Sequence, residues 1–187
     1  MKYNIPEAVQ HVIDQLKLVG IEATLVGGAL RAAALGGTSN DYDLVIFGER
    51  EDFFHTDKEI EYLGFRNQHH DEYCNNEGYV ADWRKDDVNI IMYDSCKVAD
   101  WYALIEVFDL NINQWYINEA GELENDYYDP ETKLVSINPF RDGLGHAERL
   151  TQRIERFRTM LPDLDWSEIE KRRKVNDYLG TEIVSYV

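Results

Sequence analysis

Leu25-Val26-Gly27-Gly28-Ala29-Leu30-Arg31, then Ser39-Asn40-Asp41-Tyr42-Asp43-Leu44-Val45, is the stretch on which the fold turns. Residues 21–26 have the short apolar character of a strand. Residues 29–35 form an Ala-rich helical segment stopped by Gly36-Gly37, and residues 42–47 a second strand whose unbroken apolar run predicts burial on both faces. The Gly27-Gly28 pair therefore falls between a strand and a helix. Glycines at such a turn let the backbone approach a phosphate closely, and a helix N-terminus offers N–H donors. Asp41 and Asp43 stand at i and i+2, so on a strand both carboxylates project from one face. Two carboxylates beside a phosphate loop can hold Mg²⁺, and a pair of such ions stabilises an in-line phosphoryl displacement. An Asp-x-Asp alone equally fits a polar strand entrance. The glycine pair ending 13 residues before Asp41, across one short helix, favours the metal site.

Outward from this centre, helices and strands interleave. Residues 5–19 carry Val9, Val12, Ile13, Leu16 and Val19 at helical spacing, with Asn4 able to cap, Pro6 suited to the first turn and Gly20 as the stop. Residues 49–63 predict a helix ended by Gly64. Residues 78–84 and 88–93 predict a hairpin joined near Lys85-Asp86-Asp87. Residues 97–108 read as a helix, 112–117 and 134–137 as strands, and 145–161 and 166–180 as two further helices. This mixed order with a hairpin predicts an α+β (mixed α/β) fold, a mixed sheet flanked by helices, rather than a regular parallel sheet.

The 187 residues, 44% hydrophobic with 12 Tyr, 7 Phe and 4 Trp, suit one compact body with a short helical extension. No stretch has the apolar length of about 20 residues that spans a bilayer. The N-terminus leads into an amphipathic segment rather than a signal-peptide core. These features predict a soluble cytoplasmic protein with no membrane partner. Cys74 and Cys96 lack metal-ligand spacing and are too few for a disulfide framework. The net charge is −17, and residues 141–187 hold nine Lys/Arg against nine Asp/Glu, so the whole acidic excess lies in residues 1–140. An acidic body repels nucleic acid, whose binding depends on Lys and Arg neutralising phosphates; only the C-terminal part is suited to a polyanion. Arg149, Arg153 and Arg156 share one helix face, where phosphate binding and ion pairing with the acidic body are equally good readings. His69-His70-Asp71-Glu72-Tyr73-Cys74 holds ligand-type residues, but no second cluster completes a site, and a polar loop or strand edge explains it. Lys171–Lys174 reads as a solvated helix face, and Trp101, Trp115 and Trp166 as core or interface residues.

Val26-Gly27-Gly28-Ala29-Leu30-Arg31, Leu35-Gly36-Gly37 and Asn40-Asp41-Tyr42-Asp43 resemble the first motif of the CCA-adding enzymes and bacterial poly(A) polymerases, in the DNA polymerase beta superfamily of nucleotidyltransferases. Phe108-Asp109-Leu110-Asn111-Ile112-Asn113 resembles that family's ribose-side motif and is followed, as there, by Gly121-Glu122-Leu123 and Tyr128-Asp129-Pro130. Arg149-Leu150-Thr151-Gln152-Arg153-Ile154-Glu155-Arg156-Phe157 resembles the arginine-rich helix opening the family's neck region. The three motifs occur in the family's order over roughly residues 22–160. The resemblance implies a nucleotidyltransferase fold with a catalytic-type domain in residues 1–140 and a neck-like helical extension in residues 141–187, packed as one unit.

It also implies roles. Asp41 and Asp43 are the catalytic carboxylates and bind Mg²⁺, or Mn²⁺ in its place, with Asn89 at the position of a third ligand. Gly27, Gly28 and Arg31 hold the triphosphate of an NTP such as ATP; Asp109 and Asn113 meet the ribose or brace the site; Arg153 and Arg156 meet base or phosphate. There are departures. Ala32 and Phe108 replace an Asp and an Arg, and Asn89 can ligate through its carbonyl but cannot act as a base. Asp87 shares Asn89's strand face but sits at the strand entrance. Glu168-Ile169-Glu170-Lys171-Arg172-Arg173 can be read as a mimic of a base-reading pair, but a solvated helix face explains it better. The chain also stops before the modules that hold tRNA in the family, which argues against CCA addition. Two readings follow. One is a Mg²⁺-dependent nucleotidyltransferase moving a nucleoside monophosphate onto an acceptor hydroxyl of RNA, protein or a small molecule. The other is a catalytically inactive relative, encoded by a phage or other mobile element, that binds a protein partner.

Overall fold

The computed structural model describes residues 2–68, 78–138 and 147–178, and the chain divides into two compact units. The first unit comprises Met1–Glu106 and Trp115–Glu124, the second Val107–Gln114 and Asn125–Val187.

In the first unit, α1 (Glu7–Leu18) buries Val9 and Leu16. Pro6 stands just outside it, and its carbonyl accepts the N–H groups of Val9 and Gln10, so the backbone rather than Asn4 opens the helix. β1 (Ala23–Val26), α2 (Gly28–Ala34) and β2 (Tyr42–Gly48) follow, and then a 3-10 turn (Arg50–Asp52) runs into α3 (Phe53–Tyr62). The hairpin forms as expected from β4 (Tyr79–Lys85) and β5 (Val88–Asp94), with Asp86 at φ 52° in the connecting turn. The two-residue strand β3 (Arg66–Asn67) completes a five-stranded sheet in the order β1-β2-β5-β4-β3. Only the β2–β5 pair is parallel, so the sheet is mixed and the α+β expectation holds.

Strand register explains the core. Leu25, Leu44, Ile90 and Trp83 lie side by side across four strands on one face, each nearly inaccessible. Trp83 also donates its indole N–H to Asp57 Oδ1 of α3 at 2.7 Å, and stacks on Phe53. On the opposite face Val45 and Ile91 are buried as well, as the unbroken apolar run of β2 predicts.

The helix expected over residues 97–108 is shorter, α4 (Trp101–Glu106). The Asp94 carbonyl accepts Lys97 and Val98 N–H in a turn, and Asp100 Oδ1 accepts Ala103 N–H at 2.8 Å, so capping chemistry starts the helix late. Trp101, Tyr102 and Tyr116 form an aromatic cluster with ring centroids 5.5–6.0 Å apart. The short pair β6 (Tyr116–Ile117) and β7 (Leu123–Glu124) closes this unit.

Of the strands expected at residues 112–117 and 134–137, only Tyr116–Ile117 forms, as β6 of the first unit; the second unit is built differently. Asn111–Asn113 is a 3-10 turn, and residues 134–137 make only isolated bridges, Leu110 to Ile137 and Leu134 to Asp165. The buried Asn111 side chain explains the lack of a ladder at residues 134–137. Its amide donates to the carbonyls of Tyr127 and Leu134 while its oxygen accepts Ser136 N–H, satisfying groups that a ladder would otherwise pair. α5 (Ala147–Met160) buries Ile154 and Phe157, and α6 (Ser167–Tyr178) buries Ile169, with Trp166 buried just ahead of it. Arg158 pairs with Glu170, and Arg172 pairs with Glu168 four residues earlier. Among the described residues no helix is long and apolar enough to cross a membrane.

Candidate functional site

Sheet register assembles the carboxylate site. Val26 of β1, Asp43 of β2, Asn89 of β5 and Arg84 of β4 are direct neighbours across four strands, so their side chains share one face. Asp41 precedes β2 by one residue and joins that face by the same period of two. Its backbone is held by Ser39, whose hydroxyl donates to Asp41 O at 2.9 Å, and Tyr42 N–H donates to Asp87 O at 2.8 Å.

The two carboxylates have different surroundings. Asp41 is solvent-exposed, and Arg84 Nη2 donates to its Oδ1 at 2.6 Å. Asp43 sits deeper, between the Gly27 backbone and Asn89, whose Nδ2 donates to Asp43 Oδ1 at 3.3 Å. Gly27 has φ +79°, a conformation that side-chain-bearing residues rarely adopt, and it turns β1 into α2. Burial pushes the Asp43 carboxyl above the usual carboxylate range; the Asn89 hydrogen bond opposes this, while the neighbouring Asp41 charge reinforces it and Arg84 and Arg31 oppose it.

The donor set fits a hard divalent cation. Asn89 Oδ1 is buried without a hydrogen-bond partner beside a desolvated carboxylate whose charge is incompletely offset. Two carboxylates and an amide carbonyl are all-oxygen donors, the chemistry Mg²⁺ and Mn²⁺ select. Among the described residues no group of three or more His, Cys, Asp or Glu side chains could hold a metal.

The first unit thus gathers Gly27, Gly28, Arg31, Asp41, Asp43 and Asn89. Arg31 lies on α2 with Nη2 3.5 Å from where a Gly28 Cβ would stand, so its guanidinium folds back over the glycine turn. The remaining candidates belong to the second unit. There Asn113 Nδ2 donates to Asp109 Oδ1 at 3.0 Å and Arg153 Nη1 pairs with Asp109 Oδ2, a half-buried brace between the Asn111–Asn113 turn and α5. Arg156 is exposed, its guanidinium carbon 5.1 Å from the Phe157 ring centroid. The His69–Cys74 stretch lies outside the described residues, and Cys96 is an exposed free thiol.

Sequence reasoning missed Arg84. The signal was present in the hairpin: a two-residue turn at Asp86-Asp87 pairs Lys85 with Val88 and therefore Arg84 with Asn89.

No protein-family model matches the sequence, and no curated protein matches it. Solved structures do. A CCA-adding enzyme in complex with ATP matches over 96% of this chain and 45% of its own, at 20% identity and a TM-score of 0.59. A tRNA-processing enzyme in an apo form matches over 87% and 45%, at 21% identity and 0.56. The Thermotoga maritima CCA-adding enzyme complexed with tRNA matches over 83% and 38%, at 18% identity and 0.51. The chain spans less than half the length of these structures. At these identities the likeness is one of fold: a nucleotidyltransferase fold, as the motif resemblance implied.

Proposed function

We propose that the protein binds a nucleoside triphosphate with a divalent cation and transfers the nucleoside monophosphate to an acceptor hydroxyl. The observation that carries this reading is the pair Asp41 and Asp43 on one face of β2, with the Gly27 turn packed on Asp43 and an unpartnered Asn89 carbonyl oxygen beside it. Asp41, Asp43 and Asn89 would hold Mg²⁺ or Mn²⁺, and the bound ion would supply charge neutralisation at the phosphates. The Gly27-Gly28 turn and Arg31 take the triphosphate. The acceptor oxygen forms a bond to the α-phosphorus as the bond to the β-phosphate oxygen breaks, and pyrophosphate leaves. The acceptor proton goes to a carboxylate or to water, because the Asn89 amide is not basic. The chain's contribution is positioning and charge, which is most of what phosphoryl-type transfer asks of a protein. For Asp109, Asn113, Arg153 and Arg156 the motif resemblance implies a role toward ribose, base or phosphate.

ATP is the first nucleotide to test, since a solved structure sharing the fold is a complex with ATP. The acceptor class follows from charge: a body carrying the whole −17 excess favours a protein or a small molecule, with RNA reserved for the arginine-bearing α5. A cytoplasmic setting is part of the same reading. A second reading, a catalytically inactive binding protein acting through a protein partner, is favoured by one observation, the Arg84 guanidinium already seated on Asp41.

The test is calorimetric titration of each Mg²⁺-nucleoside triphosphate into wild type and Asp41→Asn/Asp43→Asn. Metal-dependent binding that the double variant loses supports the transferase and names the nucleotide. A well-folded wild type that binds none leaves the partner-binding reading, for which a pull-down is the next experiment.

A further inference from the structure

The Arg84–Asp41 contact is built by the sheet and not by a loop. Arg84 is the direct cross-strand neighbour of Asn89, which is the direct neighbour of Asp43, so the register delivers a guanidinium to the carboxylate pair. At 2.6 Å Arg84 Nη2 occupies Asp41 Oδ1, one of the oxygens a cation would need. Charge counting adds to the conflict. The two carboxylates are already offset by the guanidinium groups of Arg84 and Arg31, and a divalent ion within a few ångströms of a guanidinium is repelled by it. Withdrawal is open to Arg84, because its side chain is 46% exposed.

We propose that Arg84 is the resident counter-cation of this site: it holds Asp41 in the ion-free protein and competes with a divalent cation, which gains Asp41 as the guanidinium withdraws. Arg84 is a positioning residue, acting through Asp41, and the proposal rests on the metal-site reading above. Exposed ion pairs of this kind carry a factor of about five at most, so the competition weakens metal binding without abolishing it.

The test is Mn²⁺ binding to the full chain without nucleotide, read from the electron paramagnetic resonance signal of free Mn²⁺. Arg84→Gln is expected to bind Mn²⁺ about three- to fivefold more tightly than wild type. Arg84→Lys, which keeps the charge, is expected to stay within about twofold of wild type, an outcome that a purely structural role for Arg84 does not produce. Asp41→Asn/Asp43→Asn is expected to lose binding. Equal affinity in wild type and Arg84→Gln would overturn the inference while leaving the metal site intact. Equal tightening in the Gln and Lys variants would overturn it too, since charge would then be irrelevant. Absence of site-specific Mn²⁺ binding in wild type and both Arg84 variants would overturn the inference together with the metal-site reading.

Discussion

Gly27 lies against the Asp43 carboxylate so closely that a Cβ on residue 27 would stand 3.2 Å from Asp43 Oδ2. The contact couples a backbone conformation to a functional side chain. Gly27→Ala adds a methyl group at φ +79° and also pushes on Asp43. The expected loss is about 1–2 kcal/mol from the left-handed backbone alone. Urea unfolding measures it, and weakened Mn²⁺ binding in the same variant reports the displaced carboxylate.

Asp43 governs a pH dependence of the ion-free protein. Its folded-state pKa is raised, chiefly by burial, so the folded state holds this proton more tightly than the unfolded chain does. The stabilising contribution is present in full below the unfolded value and is lost as pH rises through the raised folded value. Asp43→Asn is therefore expected to stabilise the ion-free protein at neutral pH and to flatten its stability profile in the acid range. Thermal unfolding across pH checks both. Added Mg²⁺ is expected to raise the melting temperature of wild type but not of the variant.

Trp83 tests the core that positions the site. It is fully buried on the sheet face opposite Asp43, and its indole N–H is one of two donors to Asp57, the other being Asn67. Trp83→Ala is expected to cost about 3–5 kcal/mol, and Trp83→Phe less, with the loss of the Asp57 hydrogen bond as the main term. Denaturant midpoints rank the two.

Asp109 and Arg153 test the second unit. Removing one partner of this half-buried pair leaves the other carrying its desolvation cost, so Arg153→Ala is expected to destabilise by about 1–3 kcal/mol. A double-mutant cycle with Asp109→Asn isolates the pair. Nucleotide titration of variants that remain folded then separates bracing from direct ribose contact. A brace changes stability alone, whereas a contact also changes affinity.

How far the sequence reached is clearest element by element. β2 was legible because Leu44, Val45 and Ile46 form an unbroken apolar run that only a doubly covered strand uses, and all three are buried. The hairpin was legible from its turn. Residues 134–137 were not, because their apolar pattern looks like a strand while the buried Asn111 side chain, 23 and 25 residues away, pairs with Leu134 O and Ser136 N–H; of residues 112–117 only Tyr116–Ile117 forms a strand. Helix α4 began later than its apolar spacing indicated, because Asp94 and Asp100 set the turn and the cap, and periodicity does not register caps.

Local residue chemistry and short-range spacing were enough to determine the mixed α+β class, the glycine turn ahead of an Asp-x-Asp and the placement of Asp41 and Asp43 on one face. Each depends on a repeat of two or 3.6 residues, or on what a residue without a Cβ can do. Only the tertiary structure decided that Asp43 is desolvated, that Gly27 packs on it, that Asn89 Oδ1 is unpartnered and that Arg84 reaches Asp41 from 43 residues away. Those properties depend on which strands become neighbours and on what covers them, and a pairing between distant segments leaves no mark in the spacing of either one.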